Sequence, residues 1–149
     1  MKPGQYFCLI AGSFFLLLGI AGLIPGLVES ADVASKTSEA YGMAYGYIAG
    51  VIPTNGNHAF IRIVVGLLGI VASISLDSSR IYSRLVAVSY GLFAVLGLIP
   101  YTNTLFGTVP IFGSDVLLHA ASAAIAFYYG FLESPGLLEL SSTPKQEPQ

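Results

Sequence analysis

Two polar pairs stand out in this chain because each falls at the head of an otherwise apolar run. His58 and Arg62 lie five and nine residues past Pro53, and Asp115 and His119 lie five and nine residues past Pro110. Each pair is spaced i,i+4, which puts both of its members on one face of a helix. Two imidazoles, a carboxylate and a guanidinium permit four kinds of chemistry. An Arg62–Asp115 ion pair between two helices would act as a polar clasp that fixes their register, and this is the reading the residues favour. The cluster would alternatively form a pocket for a lipid headgroup, a quinone or another small polar group. His58 and His119 would ligate haem or a metal, or the four residues would mark a proton or ion path. Counting from the two prolines pairs His58 with Asp115 in depth, and puts Arg62 and His119 one helical turn deeper, about 6 Å by helix rise. That offset between the histidines, with the repulsive charge of Arg62, argues against a metal, so no metal and no cofactor is expected. A conduction path needs polar residues along its whole length. The other ends of these helices offer only Ser73, Ser75, Ser83 and Ser89.

The elements that carry these pairs read as a duplication. Gly22-Leu23-Ile24-Pro25 closes one apolar run and Gly97-Leu98-Ile99-Pro100 closes another, and each is followed by a loop, a proline and a polar pair. Hydrophobic residues make up 54% of the 149-residue chain and charged residues 9%. A soluble domain carries about 25% charged residues, so much of this surface is suited to lipid. A bilayer core takes about 20 apolar residues as helix, and helix satisfies every backbone polar group within lipid. Four runs meet this requirement, at about 6–28, 58–76, 81–100 and 114–132. The expected fold is therefore all-α, a polytopic membrane protein of four transmembrane helices built as two parallel-repeat hairpins. One transmembrane domain covers 1–133, and a polar, proline-containing tail over 134–149 is expected to be disordered. The first run is longer than a signal-peptide core and reads as a retained span.

Local signals refine the picture. Asn57 and Ser114 are placed as N-caps for the second and fourth helices. Asp77, Ser78 and Ser79 suit a tight turn before the third. Pro25 and Pro100 suit helix ends. Gly12, Gly19, Gly66, Gly69, Gly91 and Gly97 permit close packing between helices. Gly42, Gly46 and Gly50 would share one face if 40–50 were an interfacial helix, giving a further packing stripe. In the outer loop 101–113, Phe106, Val109, Ile111 and Phe112 are available to dip into the membrane interface.

Orientation follows from charge. Lys2, Arg80, Arg84 and Lys145 fall on one side of a four-span chain, against Lys36 and Arg62 on the other. The positive-inside rule places both termini in the cytoplasm, with Arg80 and Arg84 as anchors at the headgroups. The lone Cys8 permits no internal disulfide and reads as a small buried hydrophobe. A net charge of -2 gives no reason to expect a nucleic-acid partner. No phosphate loop, His-Glu-x-x-His or nucleophile elbow is present, so no enzyme activity is expected.

Several phrases together resemble a known family. They are the Gly-Leu-Ile-Pro endings, Ile52-Pro53-Thr54-Asn55 with His58, Ser79-Arg80-Ile81-Tyr82, Tyr90-Gly91-Leu92, and Phe112-Gly113-Ser114-Asp115 with His119. The chain, except its tail, is similar to a bacterial family of four-helix membrane proteins known only as a domain of unknown function, most of all to its cyanobacterial branch. The resemblance allows a thylakoid as well as a plasma-membrane location and, the family having no established activity, implies nothing about chemistry. That family usually has a second histidine where this chain has Arg62, which weakens a paired-histidine cofactor scheme. The expected function is a non-enzymatic structural or accessory membrane component, packing against lipid or a larger membrane complex. The alternative is a small-molecule, lipid-headgroup or cofactor binder, or a minor proton or ion path, at the polar cluster.

Overall fold

A computed structural model describes residues 1–30 and 45–133. Gly42 and the tail 134–149 lie outside the described residues. Four α-helices dominate: α1 (Pro3–Ala21), α2 (Gly56–Ala72), α3 (Leu76–Gly97) and α4 (Ser114–Phe127), the last continuing as a π-helical turn over Tyr128–Leu132. Two helices are long and apolar enough to cross a membrane, Pro3–Ala21 and Ser114–Leu132.

The helix starts are set by capping. Pro3 occupies the first turn of α1, where its missing N–H costs nothing. Asn55, not Asn57, caps α2, its side chain accepting from the His58 N–H at 2.8 Å. Ser75 accepts from the Ser78 N–H at 3.1 Å and starts α3 there. Asp77 to Ser79 therefore lie inside the first turn of α3, and Ser73, Ile74 and Ser75 alone link α2 to α3. Asp77 in that turn complements the helix dipole. Gly113, at φ 64°, precedes α4, and Ser114 is its first helical residue. α1 stops at Ala21, four positions before Pro25, and α3 stops at Gly97, three positions before Pro100. A residue before proline is pushed out of the helical region, so the helices end ahead of these prolines.

The all-helical expectation is corrected by a small antiparallel sheet of order β1-β2-β3, comprising β1 (Val28–Ser30), β2 (Gly46–Ile48) and β3 (Ile52–Thr54). Gly46 pairs with Ser30 on one side and Thr54 on the other. Gly50 sits in the β2–β3 turn at φ 69°, beside Ala49 at φ 49°. Gly46 and Gly50 thus form no helical packing stripe. Glycine is a poor helix former, and the Tyr45–Tyr47 pair, with hydroxyls 3.2 Å apart, follows the two-residue period of a strand. Tyr47 sits opposite Pro53, and β3 is an edge strand, where a proline is tolerated.

α1 packs on α2, and α3 on α4. Along α1 and α3, Cys8 meets Ser83 at 3.7 Å, and Phe15 stacks edge-on against Tyr90 at 5.2 Å. Contact thus advances by the same seven residues on both helices, which run in the same sense. The core is Cys8, Phe15, Ala72, Tyr82, Val86, Ala87, Tyr90, Ala123 and Ala126. Leu17, Ile74, Leu85 and Leu117 face outward. The core thus mixes small residues with Phe15, Tyr82 and Tyr90, while many other large apolar side chains lie on the outer surface.

Candidate functional site

The beginnings of α2 and α4 are drawn together by their loops. Asn55 caps α2 through its oxygen and donates from Nδ2 to the Thr108 carbonyl at 2.9 Å. Asn57 donates to the same carbonyl at 3.2 Å, and Ser114 Oγ donates to the Val51 carbonyl at 2.6 Å. These bonds stitch the loop before each helix to the other hairpin. Val109, Pro110 and Ile111 are buried over the junction, whereas Phe106 is exposed.

Beneath this junction all four sequence-identified residues meet. His58 is 3% exposed, Arg62 2%, Asp115 0% and His119 4%. Arg62 Nη2 pairs with Asp115 Oδ1 and lies 3.4 Å from the Pro53 carbonyl. The other carboxylate oxygen, Oδ2, lies 3.1 Å from His119 Nδ1 and 3.5 Å from His58 Nε2. The two imidazoles stack at 6.1 Å with an interplanar angle of 16°. The ring separation matches the expected offset of about one turn, yet a nitrogen of each ring reaches the same carboxylate oxygen. Helical side chains lean towards the N-terminus, so Arg62 and His119 reach back over the turns that carry His58 and Asp115.

Buried charges are tolerated when paired and fully hydrogen-bonded. The pairing here is incomplete. Among the described residues, Asp115 Oδ2 and His119 Nδ1 have no hydrogen-bond partner, although they are 3.1 Å apart. The two atoms are close without being aligned for a bond. Ligand atoms of His58, Asp115 and His119 all fall within 4.8 Å of one another.

The site also contains residues that the polar pairs did not reveal. Tyr90 meets the His119 ring edge-on at 4.7 Å, and Phe93 meets it at 5.5 Å. Both come from α3. Tyr90 falls within the Tyr-Gly-Leu phrase noted above, so a signal was present, but an aromatic in an apolar helix gives no hint that it faces a histidine. Asn55, three residues before His58, is the α2 cap that was expected at Asn57.

A second polar group occupies the opposite end of the bundle. Cys8 Sγ donates to the Ser79 carbonyl at 3.3 Å, and Gln5 Nε2 donates to the Ser73 carbonyl at 2.9 Å. Arg80 is buried, and Arg84 Nε donates to the Gly130 carbonyl at 2.8 Å with its guanidinium 5.3 Å from the Phe131 ring. Burial of Arg80 corrects the expectation that it reaches headgroups as an exposed anchor; Arg84 is only half-buried. Arg80 is packed inside, and Arg84 satisfies a carbonyl of the last helical turn, where cations are favoured.

Compared with known families, residues 5–132 match the one described as Domain of unknown function (DUF4383). No curated protein and no solved structure matches the chain.

Proposed function

We propose, for a chain that belongs to the DUF4383 family of unknown function, that it is a non-enzymatic integral membrane protein whose two helical hairpins are clasped from within by Arg62 and Asp115. One observation carries this reading. Arg62 and Asp115 are enclosed while Ile10, Leu17, Val71, Leu85 and Leu117 are turned outward. A charged pair is expensive in an apolar interior unless its partners are close. An outward apolar face of this extent is unfavourable in water and neutral in lipid. The chain then acts by its packing, as a structural or accessory component against lipid or a larger membrane complex. All four helices cross the bilayer, with both termini and the α2–α3 link in the cytoplasm. The bundle end holding Arg62 and Asp115 faces outward, in a bacterial plasma membrane or a thylakoid.

Extraction and labelling test this placement. The protein is expected to stay in the membrane pellet after alkaline carbonate treatment. On a Cys8→Ser background, Tyr101→Cys should react with an impermeant thiol reagent added to intact cells, and Ser78→Cys only after lysis. Release by carbonate, or the reverse labelling pattern, contradicts the placement. Native mass spectrometry from mild detergent should retain lipid or a stoichiometric partner, and a bare chain would contradict the accessory role.

A further inference from the structure

We infer that His58, Asp115 and His119 form a binding site for one divalent transition-metal ion of the Zn2+ class. The inference stands on side-chain geometry alone and holds whether or not the bundle crosses a membrane. Arg62 takes one oxygen of Asp115 and leaves the other, Oδ2, buried between two imidazoles and without a hydrogen-bond partner among the described residues. His119 Nδ1 is likewise buried and unpartnered. A deeply buried carboxylate oxygen and ring nitrogen in this condition are costly, and a cation between them would satisfy both.

The distances suit an ion. Zinc sits about 2.1 Å from nitrogen and oxygen ligands, so two ligand atoms at tetrahedral or octahedral angles lie roughly 3.0–3.4 Å apart. Oδ2 lies 3.1 Å from His119 Nδ1 and 3.5 Å from His58 Nε2. The widest separation in the set, no more than 4.8 Å, closes by rotation of the stacked rings through about 1.5 Å. Two imidazoles and one carboxylate match the ligand preference of zinc and its first-row neighbours rather than that of calcium or magnesium. Arg62 supplies the outer partner that a ligating carboxylate normally has. Because Arg62 offsets the charge of Asp115, the ion requires an anionic ligand such as hydroxide or chloride at its open position. A proton held at Oδ2 by either histidine is the competing occupant.

The test uses full-length chain carrying a non-histidine tag, stripped with chelator and dialysed against Zn2+ or Co2+. The wild-type chain should retain one ion, and Co2+ should give ligand-field bands in the visible. His58→Ala and His119→Ala should each lower retention at least about tenfold, and Arg62→Lys should lower it less. Should the alanine variants fail to fold, electron paramagnetic resonance of the Cu2+-loaded wild-type chain supplies an independent readout, with nitrogen splitting expected from both imidazoles. Wild-type metal content at background, undiminished retention in folded His58→Ala and His119→Ala, or a Cu2+ spectrum without nitrogen coupling would each overturn the site.

Discussion

The two hairpins run the same way but hold together by different means. In α1–α2 the backbones themselves touch. A Cβ on Gly12 would sit 2.7 Å from the Gly66 carbonyl oxygen, and one on Gly19 would sit 2.7 Å from the Ala59 carbonyl oxygen. Gly66 is equally confined, against Leu16 and the Gly12 carbonyl, and Gly69 against Tyr82. In α3–α4 the separation is wider at the matching place, where Gly91 would find only the Ala123 Cβ at 3.9 Å. Tyr90 and Phe93 occupy this second hairpin beside His119. The second hairpin is pinched only towards its ends, where Gly97 is pressed against the Ile111 carbonyl and Gly130 against the Arg84 backbone. The wider gap between them seats His119 beside Tyr90 and Phe93. The candidate site lies where the tight hairpin supplies His58 and Arg62 and the looser one supplies Asp115 and His119.

This difference sets an order of sensitivities. Arg62→Met should have the greatest effect, leaving Asp115 buried without its guanidinium and costing about 3–5 kcal/mol, read as loss of thermal stability in detergent. Gly66→Ala comes next. It forces a methyl against the Leu16 backbone and should cost about 1–3 kcal/mol, visible in the same melt, whereas no loss would mean that the first hairpin is looser than described. Asn55→Ala removes the α2 cap and should cost about 1 kcal/mol. Hydrogen exchange confined to the start of α2 and the Thr108 loop would check that assignment. Gly91→Ala should be near neutral, within about 0.5 kcal/mol, since the added methyl meets ordinary contact. A loss as large as that from Gly66→Ala would erase the contrast between the hairpins.

The sequence announced more of the helices than of their ends. Apolar length located all four, but capping chemistry moved their boundaries. With Ser75 as its cap, α3 begins at Leu76, five residues before the expected 81, and α1 stopped at Ala21 rather than 28 because the chain turns and enters β1. The sheet was hidden because Gly46 and Gly50 match a helical spacing as well as they match a strand and its turn. Four of the six expected packing glycines, Gly12, Gly19, Gly66 and Gly69, lie at the first hairpin's close approaches, and Gly97 is pressed against the Ile111 carbonyl. Gly91 is not, since spacing along one helix carries no information about the width of the gap it faces. The Arg62–Asp115 contact was readable from two matched pairs on neighbouring helices. The meeting of His58 with His119 was not, because counting residues gives backbone depth and ignores the lean and length of each side chain.

The claim on which this account rests is that Arg62 and Asp115 hold the two hairpins to each other. A double-mutant cycle measures it, with Arg62→Met, Asp115→Leu and the combined variant unfolded in the same detergent. The account predicts strong coupling, the double variant recovering at least about 2 kcal/mol of the summed losses because neither charge is then left alone. Losses that add to within about 0.5 kcal/mol would contradict it.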